Sequence, residues 1–258
     1  MRPDGSKLAQ ISQGSHSYGY PRWSPDRTTI AFYPFDLMVG GYAELWLMDA
    51  DGTSERELAV NACHEGTAAW SPDGSRLAYG GYGAGYDLYS ILADGSDTPV
   101  GFPGSDSLSL WLYSWGVDWS PDGTRLAFVN ATGDPSPHIW TLNSDGTGLT
   151  DLSAKIVQQA PLWYEAYDWS PRWSPDGSRI ALARGNPDGI GIVDADGSNF
   201  TQIYYGGVKS VAWSPDGSQI AYSSHWPTQD IFVMDADGQN QVNLTNTPDI
   251  VEGHLDWR

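Results

Sequence analysis

Histidine is the side chain in this sequence best suited to metal chemistry, because a neutral imidazole nitrogen is a common ligand of divalent ions. The chain has five, at His16, His64, His138, His225 and His254. No two of them have the short spacing of a local metal-binding motif, and unpatterned histidines are usually hydrogen-bonded or exposed. We therefore expect no metal site and no cofactor, and we name His16, His64, His225 and His254 as the candidate ligands should a metal bind.

Carboxylates dominate the charge of the chain: 32 Asp and Glu oppose 13 Lys and Arg, which gives a formal net charge of −19. Such a surface repels phosphate backbones, so we expect no nucleic-acid partner. Many of the aspartates recur in Ser-Pro-Asp-Gly and Asp-Ala-Asp-Gly segments, where the side chain hydrogen-bonds the backbone two residues on. These segments lack the distal Glu of a calcium loop. We interpret them as turn residues rather than metal ligands.

Signatures of common enzyme classes are missing from the sequence. It contains no Gly-x-Ser-x-Gly elbow, no phosphate-binding loop and no dinucleotide fingerprint, and Cys63 is its single cysteine. Carboxylates are too numerous to nominate an acid–base pair. We predict no catalytic residue, and the sequence favours a protein without enzymatic activity.

Aromatic residues concentrate in the long segments between the regular parts of the sequence. Trp and Tyr rings there could stack on sugars or anchor a peptide, because these residues often dominate binding energy. The alternative is that each long loop packs its own small core with the same rings. The predicted binding residues are Trp111, Tyr113, Trp115, Trp163, Tyr164, Tyr167, Tyr204 and Trp226.

A repeated tetrapeptide defines the elements that position these residues. Ser-Pro-Asp-Gly follows a tryptophan at Trp70, Trp119, Trp173 and Trp213, while Trp23 begins a degenerate copy and Trp257 a truncated one. Successive tryptophans are 40 to 54 residues apart, which is the period of a propeller blade or a helical array. The intervening segments are rich in β-branched and aromatic residues and show no helical periodicity, so the repeat is predicted to be β.

Each repeat predicts four antiparallel strands, A to D. The apolar stretch ending in Trp is strand A, and Ser-Pro-Asp-Gly then forms a type I turn into strand B, for example Arg76–Tyr79. Strand C, for example His138–Leu142, is followed by a second turn whose Asp-Gly supplies a positive φ. A short strand D, for example Leu149–Ser153, ends the unit. We predict an all-β propeller of four-stranded blades, in one domain over residues 1–258.

The pattern resembles the TolB-type propeller repeat, a relative of the WD repeat in which Trp-Ser-Pro-Asp-Gly closes strand A. The resemblance covers nearly the whole chain and implies a ring of six blades around a central channel. It implies no single activity, because similar repeats occur in periplasmic TolB, in domains fused to serine peptidases, in cell-surface proteins and in polysaccharide lyases. Those lyases bind a metal through histidines above the channel.

The two ends of the chain match different strands of the repeat. The segment Asp4–Ser12 is similar to Asp196–Ile203, which leads into a strand D, and Glu252–Trp257 is similar to Glu65–Trp70, a strand A. We therefore predict five complete blades plus a partial sixth formed by the two termini; the alternative is a closed five-bladed ring. An unfinished blade leaves strand edges that invite association, so it could mediate self-association.

The strand order predicts two unlike faces. The A–B and C–D turns lie together on one face and are short, whereas the B–C and D–A connections share the other face and vary in length. Variable loops on a rigid scaffold commonly carry function. We therefore predict that this loop face and the channel mouth recognise a protein, a peptide or a glycan. The alternative is a metal-assisted polysaccharide lyase or hydrolase at the same mouth.

Two departures from the repeat predict local strain. Arg27 stands where the other turns have glycine, so that turn must change type or accept a costly positive φ. The segment Tyr167–Pro171 looks like a second copy of the motif placed directly before Arg172, which predicts a bulge.

Composition favours an exported protein, periplasmic or extracellular. The chain has three lysines only, Lys7, Lys155 and Lys209, and proteins that resemble TolB are commonly exported. No apolar run is long enough to span a membrane. No signal peptide precedes the repeats, so we expect that any export signal has been removed or was never present.

Overall fold

The computed structural model describes residues 9–12, 18–34, 43–62, 67–82, 86–102, 116–130, 136–159, 167–225, 229–247 and 253–257. Within these ranges the backbone forms twenty β-strands and one α-helix. The strands group in chain order into five antiparallel sets of four, here named blades I to V. A single bridge between Ala62 and Gly81 links blade I to blade II.

The bounds of the elements follow the repeat. Blade I consists of β1 (Tyr18–Trp23), β2 (Thr29–Pro34), β3 (Ala43–Asp49) and β4 (Arg56–Ala62). Blade II consists of β5 (Ala69–Trp70), β6 (Arg76–Tyr82), β7 (Tyr86–Leu92) and β8 (Val100–Gly101). Blade III consists of β9 (Val117–Trp119), β10 (Arg125–Asn130), β11 (His138–Asn143) and β12 (Thr150–Asp151), and the helix α1 (Leu152–Gln159) follows it. Blade IV consists of β13 (Tyr167–Trp173), β14 (Arg179–Gly185), β15 (Gly189–Asp194) and β16 (Thr201–Tyr205). Blade V consists of β17 (Val208–Trp213), β18 (Gln219–Ser224), β19 (Ile231–Asp235) and β20 (Val242–Asn243).

Within each blade the strands pair with their sequence neighbours as an antiparallel meander. The first strands of neighbouring blades contact one another, so β1, β5, β9, β13 and β17 surround the central axis. The protein is therefore an all-β propeller with five four-stranded blades, which confirms the predicted architecture. A closed ring of five blades fits this count.

The Ser-Pro-Asp-Gly turns owe their uniform shape to one aspartate oxygen. In the turn after β5, Asp73 Oδ1 accepts hydrogen bonds from Ser71 Oγ at 2.6 Å and from the Ser75 backbone N at 3.0 Å. The Gly74 N donates to the Ser71 carbonyl at 2.9 Å and closes the turn. The same Ser–Asp bond recurs at Asp26, Asp122, Asp176 and Asp216. The interpretation of these aspartates as turn residues is confirmed for all five.

The turn with Arg27 keeps its type and accepts the costly conformation. Arg27 has a φ of 62°, close to the 72° of Gly74, and its N donates to the Ser24 carbonyl at 2.9 Å. An L residue in this region brings its Cβ close to a carbonyl oxygen, which costs about 1–2 kcal/mol. The first copy of the motif is therefore a strained copy of the same turn.

The hydrophobic cores lie between adjacent blades. One cluster joins blade I to blade II, with Leu45 and Leu77 both fully buried. Equivalent clusters join blades II and III, III and IV, and IV and V. Because each core belongs to two blades, no blade buries its apolar faces alone.

One part of the predicted secondary structure is wrong. The predicted strand D at Leu149–Ser153 ends at Asp151, and Leu152 begins α1. Asp151 Oδ1 accepts a hydrogen bond from the Ala154 N at 2.9 Å, which is the geometry of a helix N-cap. Leu152 and Ile156, one turn apart, are fully buried against blades III and IV. The helix has only an N-cap residue and one pair of apolar residues as its sequence signal. This pattern is too short to distinguish a helix from a strand.

The terminal segments lie against blade I in the places where a further blade would have its outer and inner strands. Gly238 of blade V lies so close to the Ile203 carbonyl oxygen of β16 that a Cβ at Gly238 would clash with it. Gly52 of blade I lies against the Ile11 carbonyl oxygen in the same way. The segment around Ile11 therefore packs on blade I as β16 packs on blade V. At the inner position, the Trp23 N donates to Asp256 Oδ2 at 2.8 Å, as the Trp173 N donates to Asp118 Oδ2 at 2.8 Å.

The segment 253–257 also contacts blade V, because Ser210 Oγ donates to the Gly253 carbonyl at 3.2 Å. It therefore makes hydrogen bonds to both blade V and blade I. Self-association through this position stays a prediction.

Candidate binding site at the channel mouth

The central channel opens at both ends into a cavity. The end with the Ser-Pro-Asp turns holds a cavity of about 320 Å³. Its wall includes the proline of each turn, at Pro25, Pro72, Pro121, Pro175 and Pro215. Pro-Asp turns from all five blades therefore meet on one face, as the strand order predicts.

Arg22 lies in the wall of this cavity. Its side chain leaves β1 and donates from Nε to the Ala68 carbonyl at 3.2 Å and from Nη2 to the Val117 carbonyl at 3.4 Å. Its Nη1 lies 3.2 Å from Asp256 Oδ1 and its Nη2 lies 3.8 Å from Asp118 Oδ1. One guanidinium group thus binds blades II and III and the terminal segment, and it is only 2 % exposed.

The opposite end holds the larger cavity, of about 400 Å³. It is surrounded by the beginnings of β1, β13 and β17 and the residue after β18, all on the face of the variable connections. Its wall includes Tyr20, Tyr167, Trp169, Arg172, Lys209 and His254. This cavity is the candidate site, because it is concave, largely aromatic and open to the loop face.

Backbone bulges aim several of these side chains. Strand β13 shifts register between Trp169 and Arg172, with Ser170 at a φ of 53°, and the predicted bulge is confirmed. Strand β1 has the same irregularity before Arg22, with Tyr20 at a φ of 53°. The extra residue breaks the alternation of side chains along the strand. Both bulges precede a Pro-Arg-Trp sequence, and both arginines lie in the channel.

Two ring pairs form the aromatic wall. The ring of Tyr20 stacks on the imidazole of His254, with centroids 3.6 Å apart and an interplanar angle of 36°. Tyr167 stacks on Trp169 at 5.4 Å and 18°. Trp169 Nε1 donates to the Lys209 carbonyl at 3.0 Å, which ties blade IV to blade V beside the cavity. Such stacked and hydrogen-bonded rings are held in place before any ligand arrives.

The inner end of the cavity is cationic. Arg172 is buried beside it, and Lys209 Nζ is held by Gln229 Oε1 at 3.0 Å. Burial and, to a smaller extent, the charges of Arg172, Lys209 and Arg22 together lower the pKa of His254 to about 4. His254 is therefore neutral at physiological pH. The positive potential contrasts with the net charge of −19 of the whole chain.

A buried ion pair supports the strand that carries Tyr167 and Trp169. Asp168 lies between them in β13 and is fully buried, as is Arg184 of β14. Arg184 donates from Nε to Asp168 Oδ1 at 2.6 Å and from Nη2 to Oδ2 at 2.8 Å, and Ser153 Oγ of α1 donates to Oδ2 at 2.6 Å. The pair therefore fixes the part of β13 that carries the two cavity-lining residues, Tyr167 and Trp169.

The predicted binding residues have different positions. Tyr167 is 37 % exposed and lines the cavity. Tyr204 is half-buried and packs on Tyr222 at 4.8 Å in the core between blades IV and V. Trp111, Tyr113, Trp115, Trp163, Tyr164 and Trp226 lie outside the described residues.

Of the candidate histidines, His225 and His254 line the same cavity, and His16 and His64 lie outside the described residues. His138 is elsewhere, with its Nδ1 2.9 Å from Asp151 Oδ2 on the outer part of blade III. Among the residues that the structure describes, no three His, Cys, Asp or Glu side chains are arranged to hold a metal ion.

Four of the wall residues named above are absent from the predicted binding residues: Tyr20, Trp169, Arg172 and Lys209. A signal existed for Arg172, because Pro-Arg-Trp-Ser-Pro-Asp occurs twice, at 21–26 and 171–176. No sequence motif indicated that Lys209 would lie at the cavity. Its position follows from the irregular register of β17 between Val208 and Ser210.

Comparison with known proteins supports the fold. A crystal structure of TolB from Acinetobacter baumannii superimposes with a TM-score of 0.71 at 17 % sequence identity, over 93 % of this chain and 57 % of that one. A structure of a putative TolB from Agrobacterium tumefaciens gives 0.65 at 20 % identity, over 91 % and 82 %. This chain thus spans little more than half the length of the Acinetobacter protein.

A different kind of protein has a similar shape. An oligogalacturonate lyase in complex with manganese gives a TM-score of 0.61 at 14 % identity, over 92 % of this chain and 67 % of that one. At these identities the similarities establish a TolB-like propeller fold and nothing about activity. No family model and no curated protein matches the sequence. In the described part of the chain, no helix has the length and apolar character needed to cross a membrane.

Proposed function

We propose that this protein is a non-enzymatic binding propeller that holds a peptide segment of a partner protein in the cavity on its loop face. The observation that carries the proposal is the cavity wall, where aromatic rings from blades I and IV and the imidazole of the terminal segment enclose about 400 Å³. Pockets of this volume with convergent polar groups are typical of ligand sites.

The wall favours an inserted peptide over a glycan. Sugar rings stack on exposed aromatic faces, whereas Tyr20 and His254 cover each other at 3.6 Å and Trp169 is half-buried. Among the described Tyr and Trp residues of the wall, Tyr167 is the one that is exposed, at 37 %. A cavity of this shape accepts one or two side chains from the end of a segment. Binding of a glycan on this face is the alternative within the proposed binding function.

The metal-assisted lyase is the competing function. It is favoured by the two histidines that line the same cavity and by the similarity of fold to a lyase in complex with manganese. The charges oppose it, because the three cations that lower the pKa of His254 also repel a divalent ion. An exported location, periplasmic or extracellular, belongs to the proposal and rests on the resemblance to TolB-type proteins.

Affinity selection from a synthetic library of nonapeptides with free carboxyl ends tests the binding function. We expect wild-type protein to retain a related set of peptides. The Tyr167→Ala variant should bind them about tenfold more weakly, since truncating an interface aromatic commonly costs more than about 1 kcal/mol. The control is Tyr205→Ala, because Tyr205 is 70 % exposed on the outer strand β16.

Equal binding by the Tyr167→Ala and Tyr205→Ala variants would refute the location. Selection of no peptide, together with retention on a glycan array, would favour the glycan form. Release of unsaturated ends from oligogalacturonate in the presence of manganese would instead favour the lyase.

A further inference from the structure

We infer that the cavity selects a ligand carrying a free carboxylate, with the carboxylate directed at Arg172 and Lys209 and an apolar or aromatic group against the ring wall. This inference rests on the proposed binding function and specifies the chemistry that the site recognises. The wall supplies both halves of that ligand in one enclosed space.

The balance of charge at the cavity is opposite to that of the protein. Arg172 and Lys209 line it, whereas Asp188 is the one carboxylate among the described wall residues. Arg22 does not line this cavity and is paired with Asp256 and Asp118. Asp188 belongs to the exposed turn between β14 and β15, so it lies at the rim. Over the chain as a whole 32 acidic residues face 13 basic ones. A cavity wall with two cations and one carboxylate is a local exception.

Hydrogen bonds fix the positions of the two cationic side chains. Arg172 is 5 % exposed and donates from Nη1 to the Pro171 carbonyl at 2.7 Å. Lys209 Nζ is held by Gln229 Oε1 at 3.0 Å. Pre-positioned donors lose little conformational freedom on binding an anion, so most of the interaction is realised as affinity.

The surroundings strengthen this attraction. The cavity is walled by aromatic rings and by Val208, which lowers the local dielectric and lengthens the reach of the charges. The depressed pKa of His254 has the same origin, because burial and the nearby cations disfavour a further positive charge there. The same positive charges that disfavour protonation of His254 also attract a carboxylate into the cavity.

The remaining wall explains why the anion should be organic rather than inorganic. Tyr20, Tyr167 and Trp169 present carbon surface between the rim and the cations. A small, strongly hydrated anion would gain nothing from that surface. The carboxyl-terminal residue of a peptide, with an aromatic side chain, would use both the rings and the cations.

Three probe peptides test the inference: acetyl-Ala-Ala-Phe as the free acid, the same tripeptide as its carboxyl-terminal amide, and acetyl-Ala-Asp-Phe as the amide. Binding is measured by saturation-transfer NMR and by tryptophan fluorescence on the whole chain. We expect the free acid to bind at least about tenfold more tightly than the first amide, as a charge-assisted hydrogen bond requires.

The Lys209→Met variant should reduce that ratio several-fold, and Lys155→Met should leave it unchanged. Lys155 is a fair control because it lies on α1, its Nζ donates to the Asp196 carbonyl at 2.8 Å, and it does not line the cavity. If the aspartate-containing amide binds as tightly as the free acid, the need for a carboxylate is confirmed and either a side chain or a chain end can supply it. If it binds as weakly as the first amide, the carboxylate must come from the chain end.

Equal binding of acid and amide would overturn the inference, and so would a ratio that Lys209→Met does not change. If both peptides nevertheless lose affinity for Tyr167→Ala, peptide recognition at this site survives and only its carboxylate selectivity is wrong. Failure of all three probes to bind at millimolar concentration would also count against the inference, whatever the library selection finds.

Discussion

Breaking the buried pair of Asp168 and Arg184 should destabilise the protein more than any other single ion-pair change among the described residues. Both side chains are fully buried, and the carboxylate accepts hydrogen bonds of 2.6, 2.8 and 2.6 Å from Arg184 and Ser153. Arg184→Met leaves an anion in the core, and Asp168→Val leaves a cation there. Removing one partner of a buried pair costs about 3–5 kcal/mol.

The double variant should recover most of that loss. With both charges gone, the desolvation penalty disappears, and the unbranched side chain introduced by Arg184→Met can keep the contact that the guanidinium makes 4.4 Å above the Phe200 ring. Ser153 loses one acceptor but still accepts from the Ile139 N at 2.9 Å. We expect Asp168→Val/Arg184→Met to be within about 2 kcal/mol of the wild type, because an apolar replacement of a buried pair is often close to neutral.

Urea unfolding followed by tryptophan fluorescence measures these free energies. The matched control is Arg76→Met, which removes a surface pair with Asp97 at 3.0 Å, with side chains 30 % and 27 % exposed. Exposed pairs of this kind contribute about 0–1 kcal/mol. Single variants that cost no more than the control, or a double variant that loses the sum of the two singles, would refute the reasoning.

Two further predictions concern the Ser-Pro-Asp turns. Arg27→Gly should stabilise the protein by about 0.5–1 kcal/mol, because it removes the cost of a left-handed φ while adding some chain entropy in the unfolded state. Gly74→Ala should destabilise the protein, because Gly74 has a φ of 72° that alanine adopts only at a cost. Steric overlap adds little, because a Cβ there would meet only the Pro25 ring, with Cδ at an ordinary 3.7 Å. The two variants must change the free energy of unfolding in urea with opposite signs. The second prediction is acid sensitivity. Hydrogen bonds from Ser71 and then from Ser75 lower the pKa of Asp73 from 3.8 to about 2, and equivalent bonds lower those of Asp122, Asp176 and Asp216 to about 2. The stability they contribute is present above about pH 4 and is lost as the pH falls towards about 2. Replacing Asp122 and Asp176 with Asn should flatten that fall, and an unchanged pH profile would contradict it.

Much of the scaffold could be predicted because its determinants are local. Each Ser-Pro-Asp-Gly copy contains its own turn, since Asp73 binds residues within two positions of itself. The number of copies therefore gave the number of blades, and the stereotyped turns identified the face on which they meet. The bulge before Arg172 was also visible, as a tandem echo of the motif.

Two of the predicted binding residues lie in the described part of the chain, and they have different surroundings. Tyr167 was named and lines the cavity, whereas Tyr204, also named, packs into the core between blades IV and V. Whether a ring on a connection faces solvent depends on the neighbouring blade, which the local sequence does not encode. The helix α1 was missed for a similar reason, because its apolar pair, Leu152 and Ile156, becomes meaningful only against blades III and IV.

By itself the amino-acid sequence determined the repeat, its turns and the number of blades, because each turn depends on contacts within a few residues. The tertiary structure alone decided that Arg22, Arg172 and Lys209 converge in the channel and that His254 lies on Tyr20. These residues come from different blades and from the terminal segment, so only closure of the ring brings them together. The cationic, aromatic cavity is therefore a property of the ring rather than of any one repeat.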